Sequence, residues 1–266
     1  MSRQEPRGPR AAGLLLLIAA TCAPPPAANP PRLTDWSGRD GGALPLDQPL
    51  RLEFDAPLAA PVRASAVTLV DEAGRPAPGV RVEAAGRFLT LIPRLPTHAD
   101  LADGSLRPAE TYRLVLHGAP RLDALQAFSG GVLVGDLEVA VRTLPADDGG
   151  ALLGFGEGFP ALRVAGLRPG EVWQLPASGA APATLQWSGG VDPRTLEPAL
   201  LLGPGGAEQR RCALKLVENR LDGATLEVDF GDWTGWGMLV LPEGLEGLGG
   251  TPLSESHRAI RVRRSR

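Results

Sequence analysis

The stretch Leu50-Arg51-Leu52-Glu53-Phe54 decides the fold. Leu50, Leu52 and Phe54 fall on alternate positions, and Arg51 and Glu53 stand between them. Successive side chains of a strand point to opposite faces, so this order makes one apolar and one wet face. Residues 137–143 repeat it: Leu137, Val139 and Val141 alternate with Glu138, Ala140 and Arg142. Shorter runs at 67–70, 80–83, 88–92 and 112–117 read as further strands. Turns fall between them, at Glu72-Ala73-Gly74-Arg75, Ala85-Gly86 and His117-Gly118. Six or seven short strands in about 110 residues suit a β-sandwich.

Composition agrees. Among 266 residues there are 34 Gly and 27 Pro, spread along the whole chain. Long helices tolerate neither well, so frequent breakers between short apolar runs predict an all-β protein. The formal charge is −3. That argues against a dedicated nucleic-acid binder. The arginines at 258, 261, 263, 264 and 266 read as a solvated terminal strand.

The second half repeats the plan of the first. Thr184-Leu185-Gln186-Trp187 takes the part of Leu52-Glu53-Phe54. The step from Phe54 to Val67 is thirteen residues, and so is the step from Trp187 to Leu200. Later runs lie at 213–217, 224–230, 238–241 and 259–262. Two diverged copies of one module are expected.

Particular motifs carry a family resemblance. A Leu-x-Phe strand is followed by Asp55-Ala56-Pro57-Leu58 and a Val-x-Leu strand ending Asp71-Glu72-Ala73-Gly74. Then come Leu89-Thr90-Leu91-Ile92-Pro93, Leu106-Arg107-Pro108-Ala109-Glu110-Thr111-Tyr112, and a closing strand ending Val141-Arg142-Thr143-Leu144. This order resembles the bacterial Ig-like domains of surface-layer and other exported proteins. The resemblance implies seven-stranded sandwiches and says little about function. The expected organisation is a signal peptide at 1–21, a Pro/Ala-rich spacer at 22–33, one Ig-like β-sandwich at 34–145, a linker at 146–163 and a diverged second sandwich at 164–266. In the second copy Gly235-Trp236 stands in for the family's Gly-Thr-x-Tyr. Leu167-Arg168-Pro169-Gly170-Glu171-Val172-Trp173 echoes residues 106–112, as the remnant of a shortened module or as an added strand.

The front of the chain carries the address. Arg3, Arg7 and Arg10 precede an apolar run at 11–20. Ten helical residues rise about 15 Å, half of a hydrocarbon core. A basic, then apolar, then small-residue order is that of a secretory signal peptide. Ile18-Ala19-Ala20-Thr21-Cys22 resembles the lipobox of bacterial lipoproteins, which implies a diacylated Cys22 at the mature N-terminus. Ordinary cleavage near Ala20 or Ala23 is the alternative. Loss of three Arg and one Glu with the signal leaves a mature chain near −5. Residues 23–31 form a Pro/Ala-rich spacer, and a diacylated anchor supplies the two chains that stable attachment needs. Cys212 is then left without an intrachain partner and reads as a buried thiol.

Chemistry is sparse. His98, His117 and His257 stand apart from any second His or Cys at a metal-ligand spacing. There is no G-x-S-x-G elbow and no P-loop. The acid pairs Asp35/Asp40, Asp100/Asp103 and Asp147/Asp148 lack the order of a Ca²⁺ loop and read as solvated. No cofactor, no metal and no enzymatic activity are expected, although sequence alone does not exclude a carboxylate pair across a cleft. Trp233 and Trp236 could present two rings to a polysaccharide or peptidoglycan, or serve as core. The leading expectation is a non-catalytic, exported envelope module, anchored to the membrane through Cys22 or else secreted. Its contacts would be adhesive or structural, with an envelope protein or glycan as partner.

Overall fold

The computed structural model describes residues 29–153, 161–177 and 182–265. The expected signal peptide, Cys22 and most of the expected spacer lie outside them. The chain is all-β and forms two sandwiches.

The first contains β1 (Leu33–Trp36), β2 (Leu50–Phe54), β3 (Val67–Asp71), β4 (Arg81–Ala85), β5 (Phe88–Ile92), β6 (Thr111–Leu116) and β7 (Leu137–Arg142). One sheet has the order β1-β2-β5-β4 and the other β3-β6-β7, antiparallel throughout. The alternation in the sequence fills the space between them. Leu50, Leu52 and Phe54 of β2 meet Leu89 and Leu91 of β5, with Leu69, Leu114, Leu116, Val139 and Val141 in the same core. Tyr112 is buried and its hydroxyl accepts the Arg107 N–H at 2.7 Å, pinning the approach to β6.

The second contains β8 (Val172–Gln174), β9 (Ala183–Trp187), β10 (Ala199–Leu202), β11 (Glu208–Cys212), β12 (Leu214–Arg220), β13 (Gly223–Val228), β14 (Gly235–Val240), the two-residue pair β15 (Glu246–Gly247) and β16 (Thr251–Pro252), and β17 (Ala259–Arg264). Its main sheets run β12-β13-β9 and β11-β10-β14-β17-β8. The strand order β9-β13-β12 repeats β2-β5-β4, and β10-β14-β17 repeats β3-β6-β7. Phe54 and Trp187 end equivalent strands, and both are buried. Even the Leu33–Phe54 pairing has a trace, the bridge between Val164 and Trp187.

Four sequence readings change. The 167–173 segment is resolved in favour of an added strand: β8 pairs in parallel with β17 at the sheet edge. Strand β11 was not anticipated, because Glu208-Gln209-Arg210-Arg211 offers no apolar alternation. Residues 146–153 do not hang free as a linker: the Leu46 N–H reaches the Ala151 carbonyl at 2.8 Å, and Ala151 and Leu152 are buried in the first core. Arg264 is also buried, and its Nη1 donates to the Gly231 carbonyl at 2.7 Å.

The two sandwiches are docked. Asn219, at the end of β12, is 1 % exposed. Its Nδ2 donates to the Pro96 and Val191 carbonyls, both at 2.8 Å, and its Oδ1 accepts the Val191 N–H at 3.0 Å. Leu248 of the second half joins the core of the first. The Gly249 N–H donates to the Leu152 carbonyl at 3.0 Å. Registers place this contact at one end of the first sandwich. The opposite end gathers the starts of β1, β3 and β7 and the ends of β2 and β6.

Candidate functional site

The Trp233-Thr234-Gly235-Trp236 turn is built by the segment that leads into β14. The Asp229 carboxylate accepts the Gly231 N–H at 2.8 Å, and the Trp233 N–H closes on the Phe230 carbonyl at 3.1 Å. Arg210 also donates to that carbonyl at 2.6 Å. Trp233 turns inward. Its ring centroid lies 6.1 Å from that of Phe230, and its Nε1 donates to Gln209 Oε1 at 2.7 Å. The room for it comes from Gly237. A Cβ there would meet Trp233 Cζ2, Leu201 Cδ1 and the Leu202 carbonyl oxygen, each at 3.0 Å. An indole from the turn thus fills the space over an inward-facing glycine of β14.

Trp236 faces the other way and is 53 % exposed. In β14, Gly235, Gly237 and Leu239 face inward, so Trp236 and Met238 point outward. They sit opposite Arg263 and Arg261 of β17. The Arg263 guanidinium carbon lies 4.9 Å from the Trp236 ring centroid, a cation–π geometry. Trp236, which the sequence sets against Tyr112, thus faces outward where Tyr112 is buried. The two tryptophans do not form one platform. What remains is a single aromatic face beside two arginines, on the outer surface of the sheet.

A cleft of about 760 Å³ lies between the sandwiches. Arg81, Ile92, Arg94 and Asp103 line one side, and Val217 and Arg220 line the other. Its arginines are engaged locally. Arg220 approaches Glu218 at 3.6 Å and Asp222 at 3.4 Å, Arg81 approaches Glu83 at 2.9 Å, and Arg94 donates to the Asp103 carbonyl.

At the rim of this cleft the structure joins His98 to the Asp100/Asp103 pair, with one ligand atom of each within 4.8 Å of the others. The sequence reading had weighed His98 only against a second His or Cys, and the Asp100/Asp103 pair separately. The Asp103 carboxylate is already engaged: it accepts Thr97 Oγ1 at 2.6 Å and the Thr97 and His98 N–H groups at 3.0 and 3.1 Å. Partial burial pushes this carboxyl up, but those hydrogen bonds outweigh it and hold it below the usual carboxylate range. Its chemistry is that of a loop cap. Cys212 is fully buried, and burial pushes its thiol up to about 11, which removes it as a nucleophile. Cys22, the expected lipidation residue, lies outside the described residues.

No protein-family model matches the chain, and no curated protein matches it. Among solved structures it is similar to native alpha-2-macroglobulin from Escherichia coli spanning domains MG0-NIE-MG1, at 14 % identity and a TM-score of 0.39, over 90 % of this chain and 73 % of that one. The cryo-EM reconstruction of the native Escherichia coli protein aligns at 13 % identity and a TM-score of 0.40, over 90 % of this chain and 14 % of that one. The N-terminal part of the bacterial S-layer protein SbsC aligns at 10 % identity and a TM-score of 0.30, over 88 % of this chain and 44 % of that one. At these scores the fold assignment rests on the sheets and cores described above.

Proposed function

We propose that this chain is an exported, non-catalytic envelope protein, anchored through a diacylated Cys22, in which two docked sandwiches serve as an interaction or spacing module. One observation carries the reading. The segment from Cys22 runs into buried Pro31 and β1 at the end of the first sandwich opposite the docked second one. A lipid at Cys22 would therefore hold the pair by its far end and present the second sandwich away from the bilayer. The test is the mass of the mature N-terminal peptide from membranes of the native host, beside a Cys22→Ala variant. A diacylated Cys22 supports the anchor. An unmodified N-terminus in the soluble fraction, unchanged by Cys22→Ala, makes the protein a freely secreted one.

A second reading, glycan binding, is favoured by Trp236, whose ring is exposed beside Arg263 and Met238. Trp233 drops out of it. Binding to polysaccharide or peptidoglycan fragments that is lost on Trp236→Ala, with the fold intact, would support it. The absence of binding by the folded wild-type chain would remove it.

A further inference from the structure

We propose that the free end of the first sandwich is a lipid-contacting pole, whose exposed apolar side chains enter the bilayer interface. The proposal rests on the anchored reading above and adds a second, non-covalent contact to it.

Between β6 and β7 the chain makes a long excursion, 117–136, at the end away from the second sandwich. Leu125, Ala127 and Leu133 point inward and are buried. The alternate side chains point out: Leu122 is 98 % exposed, Phe128 81 % and Val134 78 %, with Val132 beside them. Single exposed apolar residues need no explanation, but four in one excursion do. Backbone bonds hold the excursion in place. Ala127 N–H donates to the Gly131 carbonyl at 2.7 Å, Phe128 N–H to the Pro57 carbonyl at 2.8 Å, and Ala59 N–H to the Gln126 carbonyl at 2.9 Å. The side chains are displayed on a fixed loop, at a conformational cost already met in folding.

The position of the N-terminal segment selects the occupant. Asn29 and Pro30 cross directly over Gly131, where an added Cβ would sit 2.0 Å from the Asn29 carbonyl oxygen. The chain leading back to Cys22 thus passes over the loop that displays Phe128 and Val132. Asn29 stands seven residues after Cys22, a reach of at most about 25 Å. A lipid on Cys22 keeps this pole within that distance of the headgroups. Exposed apolar side chains, fixed loop and short tether converge on a glycerophospholipid surface.

The test uses the full chain, purified from membranes and reconstituted into phosphatidylethanolamine/phosphatidylglycerol vesicles. An environment-sensitive fluorophore is placed by Phe128→Cys and, as a control in the second sandwich, by Glu243→Cys; Cys212 is buried and stays unlabelled. The expected result is a blue shift and quenching by acyl-chain spin labels at 128, and neither at 243. Water-like emission at both sites, on a chain whose Cys22 is diacylated, overturns the pole and leaves the anchor standing. If Cys22 proves unmodified the anchored reading fails, and chain labelled in the Cys22→Ala background, so that only position 128 or 243 carries the dye, is mixed with the same vesicles. Quenching at 128 then supports the pole by itself, and its absence overturns it. A shift at 128 in lipid-free solution with a doubled mass assigns the surface to a second copy and overturns the lipid proposal. In the Cys22→Ala background, Leu122→Ser with Phe128→Ser should weaken vesicle partition at least about tenfold, without loss of fold.

Discussion

The Asn219 side-chain amide donates to the Pro96 carbonyl oxygen across the boundary between the sandwiches at 2.8 Å, while also holding Val191 N–H and C=O of its own sandwich. Every strong hydrogen-bonding role of this amide but one is thereby used, in a site closed to water. Domain interfaces within a chain are commonly polar and loose. Here a buried amide makes the relative placement of the two sandwiches a specific one.

Removing that amide should therefore cost more than a surface change. In Asn219→Ala, one buried donor and two buried acceptors lose their partner, at about 1–3 kcal/mol for each group left unpaired. The expected loss is about 3–5 kcal/mol, which lowers the melting temperature by about 6–12 °C in a chain of this size. Calorimetry measures it, and small-angle scattering should show a wider range of domain placements. A melting temperature within about 1 °C of wild type would mean the interface does not depend on this latch.

The two tryptophans of the turn should separate cleanly. Trp233 packs on Phe230 and over Gly237, so Trp233→Ala uncovers that packing, at about 2–3 kcal/mol, while the exposed Gln209 turns to water. Gly237→Ala drives a Cβ into the same contacts and should destabilise by about 1–3 kcal/mol. Trp236 is outside the core, and Trp236→Ala should stay within about 0.5 kcal/mol of wild type. Urea unfolding followed by tryptophan fluorescence orders the three. Equal losses for Trp233→Ala and Trp236→Ala would contradict the opposite facings.

This pair also shows what the sequence could and could not say. The first sandwich was legible because β2 and β7 alternate apolar and polar residues, which states a buried face directly. In β14 the inward positions include Gly235 and Gly237, while the outward ones include Trp236 and Met238. Hydrophobicity there runs opposite to burial, so spacing could not tell core from surface. Strand β11 escaped for a related reason: an edge strand of charged residues carries no apolar period. The docking of the halves depends on a buried Asn together with Leu248 and backbone hydrogen bonds, and the display of Phe128 on a loop conformation. Neither leaves a periodic trace.

Stability should carry a pH signature at Asp103. Its folded carboxyl lies below the ordinary 3.8, because Thr97 and His98 hydrogen bonds to the ionised form overcome the opposing effect of burial. A lowered folded pKa means the ionised group stabilises the fold above the unfolded value, and that this contribution is lost as pH falls through the folded value. Asp103→Asn keeps one oxygen for the Thr97 and His98 N–H groups but turns an NH2 towards Thr97 Oγ1 and removes the charge, and should cost about 1 kcal/mol at pH 7. The gap between wild type and variant should narrow as pH falls below 3.8 and through the folded value. Denaturant midpoints across pH 2–7 test this, and a gap that stays constant would show that charge at Asp103 plays no part.

Cys212 should behave as an inert core thiol. It lies at the end of β11, fully buried in the second core, and burial lifts its pKa to about 11. A raised folded pKa stabilises the protonated form, so this contribution is intact below the ordinary thiol value of 9.0 and fades as pH climbs towards about 11. At pH 8 the native chain should resist iodoacetamide for hours and react fully once unfolded in urea, because only opened molecules expose a thiolate. Labelling that tracks the global unfolding equilibrium would place Cys212 in the most protected part of the second sandwich. Rapid labelling of the native chain would mean that β10 and β11 separate locally and that the polar edge strand is only loosely held.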